Sequence, residues 1–295
     1  MILSLCSGYT GLDMAVTWLT GIETGWVSDV DPTACRILAH RLPDVPNLGD
    51  LTTIDYDALR GRASVITAGY PCQPFSKSGK RRGTEDPRHL FPHIARAVAA
   101  VGPRLVVLEN VRGHLDLGFP EVLGTLADVG YDARWTVVPA SAVGAPHGRE
   151  RLFLVGTPTD ANGLEERQEG PRRVAQPPRE EPRPWAPRTD IPPRHGRPAH
   201  DDQGSNELPH WGEFAHAVRH WERVTGRPVP EPLAADGSLN PALPEWMMGL
   251  EPGWVTDVPG LSREQQRHAL GNGVCPQQAA YALATMGLDR LEVAA

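Results

Sequence analysis

The chain has little that would carry it into a membrane or out of a cell. It contains no apolar run of about 18 residues, the length a spanning helix needs. It opens on Ile2-Leu3-Ser4-Leu5, without the basic region of a secretion signal, so a cytoplasmic protein is expected. Cysteine is scarce: Cys6, Cys35, Cys72 and Cys275 are scattered and lack metal-ligand spacing. A disulfide framework and a zinc site are thereby excluded, and free thiols in a reducing compartment are expected, with no metal. Positive charge is short as well, 29 Lys and Arg against 36 Asp and Glu, a formal net charge of -7. That balance weighs against nucleic acid as a partner, although a basic patch can sit on an acidic protein. No internal repeat is visible. The 295 residues suffice for one large domain, or one with a small appendage.

What is present centres on Pro71-Cys72-Gln73-Pro74-Phe75-Ser76. The apolar stretch 64–68 before it reads as a buried strand, and Gly69 ends that strand. Each proline fixes its own φ and turns the preceding residue away from helix. The thiol of Cys72 therefore sits on a stiff turn past the carboxyl end of a strand, where open α/β sheets bind ligands. A thiol alone is better explained as a buried structural cysteine. Its rigid presentation is what suits a nucleophile.

The remaining motifs fall around this turn in order. Residues 2–5 read as a first strand, followed by the loop Cys6-Ser7-Gly8-Tyr9-Thr10-Gly11 and then helical spacing at Leu12, Ala15, Val16 and Leu19. This opens a nucleotide-binding unit or is a plain tight turn. A second strand over 24–27 leads to Asp29, placed to accept hydrogen bonds from ribose hydroxyls. A helix spans 32–42, and a short strand precedes Gly49-Asp50. Residues 77–83 are basic, either solvated charge or a loop closing on phosphate. A helix over 90–101 precedes a strand over 105–108, which leaves directly into Glu109-Asn110-Val111. Arg149 and Arg151 flank the start of a strand over 152–155, as an ordinary edge or as a clamp for a polar substrate. Residues 158 to about 206 are rich in Pro and Arg and poor in aliphatics, so they are expected to be largely disordered. Helical character returns over 211–225, with Trp211, Phe214 and Trp221 as a small anchoring core. Gly271-Asn272-Gly273-Val274 and a helix over 277–286 close the chain.

This order of motifs resembles the DNA cytosine-5 methyltransferases, particularly phage and actinobacterial members. The resemblance runs over 2–156 and again over about 243–286. It rests on the 6–11 loop, Asp29, Asp50, Pro71-Cys72-Gln73, Glu109-Asn110-Val111, Arg149-x-Arg151 and Gly271-Asn-Gly-Val274. It implies an α/β fold with a doubly wound, mostly parallel, Rossmann-like sheet. Residues 1–157 and 243–295 would form the catalytic domain, and 158–242 a small target-recognition region. It implies S-adenosylmethionine as cofactor, held by Ser7, Gly8, Gly11, Leu12, Asp29, Val30, Asp50, Leu51, Pro71, Asn272 and Val274. It implies double-stranded DNA as partner, met by Gln73, Ser76, Lys77, Ser78, Lys80, Arg81, Arg82 and Arg88. The protein would act as a monomer in the cytoplasm, that of a host cell if phage-encoded. Cys6 and Tyr70 stand where the family usually has Phe, and His147 where it has Gln.

The chemistry fits these residues. Carbon-5 of cytosine is a poor nucleophile until something adds to carbon-6, and the Cys72 thiolate is the candidate. Glu109 would relieve charge at ring nitrogen N3, with Arg149 and Arg151 holding the exocyclic oxygen and orienting the carboxylate. A base within duplex DNA must be flipped out to be reached. RNA as substrate, transfer of another group, and DNA binding without catalysis are the alternatives.

Overall fold

Short apolar stretches of this chain become strands because both faces of the sheet they join are covered by helices. The computed structural model describes residues 1–71, 90–159 and 211–290. The elements run β1 (Ile2–Leu5), α1 (Gly11–Thr20), β2 (Thr24–Ser28), α2 (Pro32–Arg41), β3 (Val65–Gly69), α3 (Phe91–Val101) and β4 (Leu105–Val111). They continue with α4 (Phe119–Asp128), β5 (Tyr131–Pro139), β6 (Glu150–Pro158), α5 (Ala215–Thr225), α6 (Ala242–Met247), α7 (Arg263–Asn272) and α8 (Pro276–Thr285).

One sheet has the order β2-β1-β3-β4-β6-β5. The first four strands are mutually parallel, and β6 runs antiparallel to both of its neighbours. The two-residue period divides the core. Leu3, Leu5, Ile66, Val106 and Leu108 join Ile94 and Val98 of α3 and Val122 and Leu126 of α4. Ile2, Val65, Leu105 and Val107 join Leu12 and Val16 of α1 and Leu283 of α8 on the other face. Ile66 is fully buried, and truncating it to Ala would cost about 2–5 kcal/mol.

The chain passes from β1 outward to β2 and then returns to β3 on the other side of β1. Between β1 and β3 lies the topological switch point, where the loops leaving the strands part and open a crevice.

Several expectations are corrected. The short strand expected before Gly49 is only a single parallel bridge between Val27 and Asn47, too little pairing to make a strand. The strand expected to stop at Leu108 runs to Val111, because Glu109 keeps ladder partners on both sides, Gly69 and Phe153. The segment expected to be disordered from Pro158 begins inside the fold: Pro158 pairs with Tyr131, and Thr159 N–H donates to Gly130 O at 2.9 Å. The rest of that stretch, 160–206, lies outside the described residues. Of the aromatics expected to anchor α5, Trp221 is completely buried but Phe214 is 61% exposed. Trp221 packs with Val218, Leu243, Trp246, Ala140 and Val143, and its indole N–H donates to Trp246 O at 2.8 Å. The helix thereby docks on the 140–145 turn that leads into β6.

Candidate active site

The crevice at the switch point encloses about 830 Å³ and is walled by the loops after β1, β2, β3 and β4 and by the 271–274 turn. The loop after β1 is shaped by positive φ at Cys6, Gly8 and Thr10, conformations that Gly adopts freely and other residues rarely do. Gly8 N–H donates to Asp29 Oδ2 at 2.9 Å, and Asp31 N–H donates to Oδ1 at 2.9 Å. Asp29 is thus fastened across the crevice floor, and burial raises its carboxyl above the usual range. Ser7 hydroxyl donates to Ser4 O at 3.1 Å, which tightens the same turn. Burial pushes the Cys6 thiol up to about 12, so it carries no thiolate at neutral pH.

The opposite wall is the 271–274 turn. Tyr9 hydroxyl donates to Val274 O at 2.7 Å. A Cβ on Gly11 would overlap Val274 O, and one on Gly273 would overlap the Tyr9 ring. The two loops meet without room for either side chain. Leu12, Leu51 and Val274 are buried beside the crevice, whereas Val30 stands exposed at its mouth. Asp50 is exposed, and the Thr52 N–H donating to its Oδ1 at 2.8 Å holds its carboxyl below the usual range. Asn272 is exposed, with its amide 3.2 Å from His268 Nε2. Pro71 lies at the rim after β3.

Glu109 lies within β4, 7% exposed, and Arg151 Nε approaches its Oε1 at 2.9 Å. Burial raises the Glu109 carboxyl, against the lowering effect of Arg151 and Arg149, and the net direction is up. A carboxyl held this way keeps a proton closer to neutral pH while its orientation is fixed. The two arginines divide their tasks. Arg149 Nη1 donates to Gly271 O at 2.5 Å and Nη2 to Gly273 O at 2.8 Å, so its fork grips the 271–274 turn. Its Nε is buried without a hydrogen-bond partner among the described residues. Asn110, next to Glu109, donates from Nδ2 to Tyr70 O at 3.2 Å, at the point where the chain leaves β3.

Cys72, Gln73, Ser76, Lys77, Ser78, Lys80, Arg81, Arg82 and Arg88 lie outside the described residues. Described residues on both sides bring the chain to the crevice, Pro71 at one end and Leu90 at the other. Among the described residues, no group of His, Cys, Asp and Glu is arranged to hold a metal ion, and no helix is long and apolar enough to cross a membrane.

Two anchoring residues had no role assigned from sequence. Glu245 is buried and accepts from Gly253 N–H (2.8 Å), Val255 N–H (2.6 Å), Thr256 N–H (2.9 Å) and the Thr256 hydroxyl (2.8 Å). A carboxylate saturated by backbone donors is structural, and the acid beside Trp246 in an otherwise apolar helix was its signal. Gln278 is also buried, and its amide donates to Val138 O at 2.7 Å and Arg149 O at 2.8 Å. It holds the backbone from which Arg149 projects.

Comparison with known proteins agrees with this layout. The family profile described as C-5 cytosine-specific DNA methylase matches residues 1–191. The type II methyltransferase M.Eco47II of Escherichia coli is 31% identical over 172 residues, 56% of this chain and 41% of that protein. M.NgoMIV of Neisseria gonorrhoeae, another type II methyltransferase, is 31% identical over 158 residues, 52% of this chain and 50% of that protein. The matched stretch thus spans half of these curated relatives' length or less. Among solved structures, a Spodoptera frugiperda DNMT2 variant superposes with a TM-score of 0.65 at 15% identity, covering 97% of this chain and 99% of that one. A putative DNA modification methyltransferase encoded within an E. coli prophage gives 0.63 at 18% identity, covering 97% and 98%. At such identities the likeness is one of fold.

Proposed function

The chain belongs to the C-5 cytosine-specific DNA methylase family, and on that premise we propose that it methylates carbon-5 of a cytosine flipped out of duplex DNA. The observation that carries this reading is the buried Glu109–Arg151 pair at the carboxyl end of β4, facing the crevice beside the strand that leads to Cys72.

S-adenosylmethionine is the group this crevice would take: Gly8 leaves open space beside its backbone, Gly11 lets the 271–274 turn close on the loop, and Asp29 and Asp50 would offer acceptors for hydroxyl and amine donors. Ser7, Leu12, Val30, Leu51, Pro71, Asn272 and Val274 complete its surroundings. When bound, it supplies an electrophilic methyl group. The chain's own residues prepare the nucleophile. The Cys72 thiolate forms a bond to carbon-6, and the electron pair displaced from the ring double bond makes carbon-5 nucleophilic. Glu109 stabilises that charge by sharing its proton with N3, and Arg151 keeps the carboxyl in place for it. Arg149 frames the site by fixing the turn at 271–274. After transfer, loss of the carbon-5 proton to a base drives out the Cys72 thiolate and restores the ring. No change of oxidation state occurs at any protein group.

The basic stretch 77–82 and Gln73, Ser76 and Arg88 serve as DNA contacts, and the choice of sequence lies within 158–242, with α5 tethering that region to the catalytic domain. The test is incubation of the full chain with unmethylated plasmid, total RNA and isotopically labelled S-adenosylmethionine, followed by nucleoside mass analysis. Labelled 5-methyldeoxycytidine supports the reading. Label confined to RNA, label on another atom, or no label at all would each overturn it.

A further inference from the structure

The segment carrying Cys72 leaves β3 at Tyr70 and rejoins described structure just before Phe91. Those two aromatic rings touch, 5.8 Å apart between centroids and inclined by 41°. Tyr70 also meets His114 edge-on, at 5.7 Å and 80°. His114 sits on the short 3-10 turn Arg112–Asp116, five residues beyond Glu109, and is 1% exposed.

A phenyl ring would supply the packing alone, but Tyr70 adds a directed bond. His114 Nδ1 lies 2.9 Å from Leu117 O, and a carbonyl only accepts, so Nδ1 carries a proton. In the neutral imidazole Nε2 is then an acceptor, and the Tyr70 hydroxyl, 3.0 Å away, donates to it. Asn110 grips the same residue through its backbone carbonyl. Tyr70 is therefore fixed at both ends, its main chain by the residue after Glu109 and its phenol by the turn that follows. Packing by Phe91 limits its remaining freedom. Each partner is buried, where a lost partner is costly and a satisfied network is stiff.

Resting on the functional reading above, we propose that Tyr70 and His114 are a positioning pair that sets the stem of the nucleophile segment relative to Glu109. The bond joins the two elements whose reacting groups must meet on opposite sides of one cytosine ring. A displacement of about 1 Å between such groups can cost on the order of 10²-fold in rate.

The experiment measures the rate of covalent adduct formation on a duplex carrying 5-fluorocytosine, together with cofactor affinity and thermal midpoint. Wild type is compared with Tyr70→Phe, His114→Leu, His114→Gln and the double variant Tyr70→Phe/His114→Leu. Tyr70→Phe and His114→Leu are expected to slow trapping by about tenfold or more, with cofactor affinity within about threefold of wild type. The double variant should be no slower than the slower single, because one bond is lost in all three. His114→Gln, whose carbonyl can accept from the phenol, should recover most of the rate. Trapping by Tyr70→Phe at the wild-type rate overturns the inference while leaving the functional reading intact. Should Tyr70→Phe fail to fold, equal rates for His114→Gln and His114→Leu overturn it instead. A wild-type protein that forms no adduct overturns the functional reading and this inference with it.

Discussion

Gly69 and Glu109 are register partners across β3 and β4, and a Cβ at Gly69 would stand 3.3 Å from Glu109 Oε2. A side chain at 69 would press on the carboxyl, which would have to give by a few tenths of an ångström for a methyl group and more for a branched side chain. Gly69→Val is accordingly expected to push Glu109 off Arg151 and lower turnover by about 10-fold or more, since small misplacements of a reacting group are expensive. A Gly69→Val enzyme with normal kcat would show that the carboxyl tolerates displacement.

Glu109→Gln keeps the shape and removes the exchangeable proton. Turnover should fall by about 10²-fold, within the range of lost acid–base catalysis, with S-adenosylmethionine affinity unchanged. Steady-state kinetics paired with calorimetric titration of the cofactor separates the two quantities, and near-normal turnover would remove Glu109 from the chemistry.

Arg151 opposes the effect of burial on Glu109. If the protonated carboxyl is the active form, activity falls as pH rises through its pKa. Removing the neighbouring positive charge leaves burial unopposed and raises that pKa further. In Arg151→Gln the alkaline limb of kcat/KM should therefore move to higher pH while the maximum drops. An alkaline limb that stays in place would mean that it reports another group.

Asp13 on α1 is a buried carboxyl with no part in the proposed mechanism, bonded by the Ser4 hydroxyl at 2.7 Å and by the Thr67 hydroxyl. Burial pushes it up to about 6, against about 3.9 in an unfolded chain. The folded state therefore binds more protons than the unfolded state between those values. Stability falls as pH rises through that window, by about 3 kcal/mol in total, and stays low above it. Urea unfolding from pH 4 to 7 should show Asp13→Asn gaining about 2–3 kcal/mol relative to wild type. Parallel curves for the two proteins would count against an elevated pKa.

Gly273→Ala would drive a methyl group into the Tyr9 ring. The expected result is a loss of cofactor affinity of about tenfold, the equivalent of roughly 1–3 kcal/mol of overpacking at the crevice wall. Removing the ring with Tyr9→Ala in the same chain should recover part of it. Calorimetry on wild type and both variants reads this directly, and unchanged affinity in Gly273→Ala would show that the turn is free to yield.

The strands that could be located in the sequence are those buried on both faces. β1, β3 and β4 read as short apolar runs because helices cover them from either side. β5 escaped notice because it is an edge strand, with Arg134 and Trp135 interrupting any alternation and Trp135 38% exposed. α7 was hidden for a different reason: only Gln266 and Leu270 of its ten residues are buried. Its clearest sign was the capping box, in which Ser262 hydroxyl accepts from Gln265 N–H and Gln265 Oε1 from Ser262 N–H. The acids and arginines of the site were visible as residue types in order. The fork of Arg149 on Gly271 and Gly273 was not, since it joins residues more than a hundred positions apart. Spacing within a motif carries no trace of such a contact.

The crevice wall has a modular consequence. α8 packs on α1 and on β5 and β6, while Tyr9 and Arg149 together clasp the 271–274 turn. The wall is thus held to the sheet by packing and hydrogen bonds rather than by the peptide connection through 160–210. Two separately translated pieces, 1–159 and 211–295, each expose an apolar face that only the other covers. Co-expressed, they are expected to assemble around the crevice without the connecting stretch, and co-purification of the two pieces would read this directly.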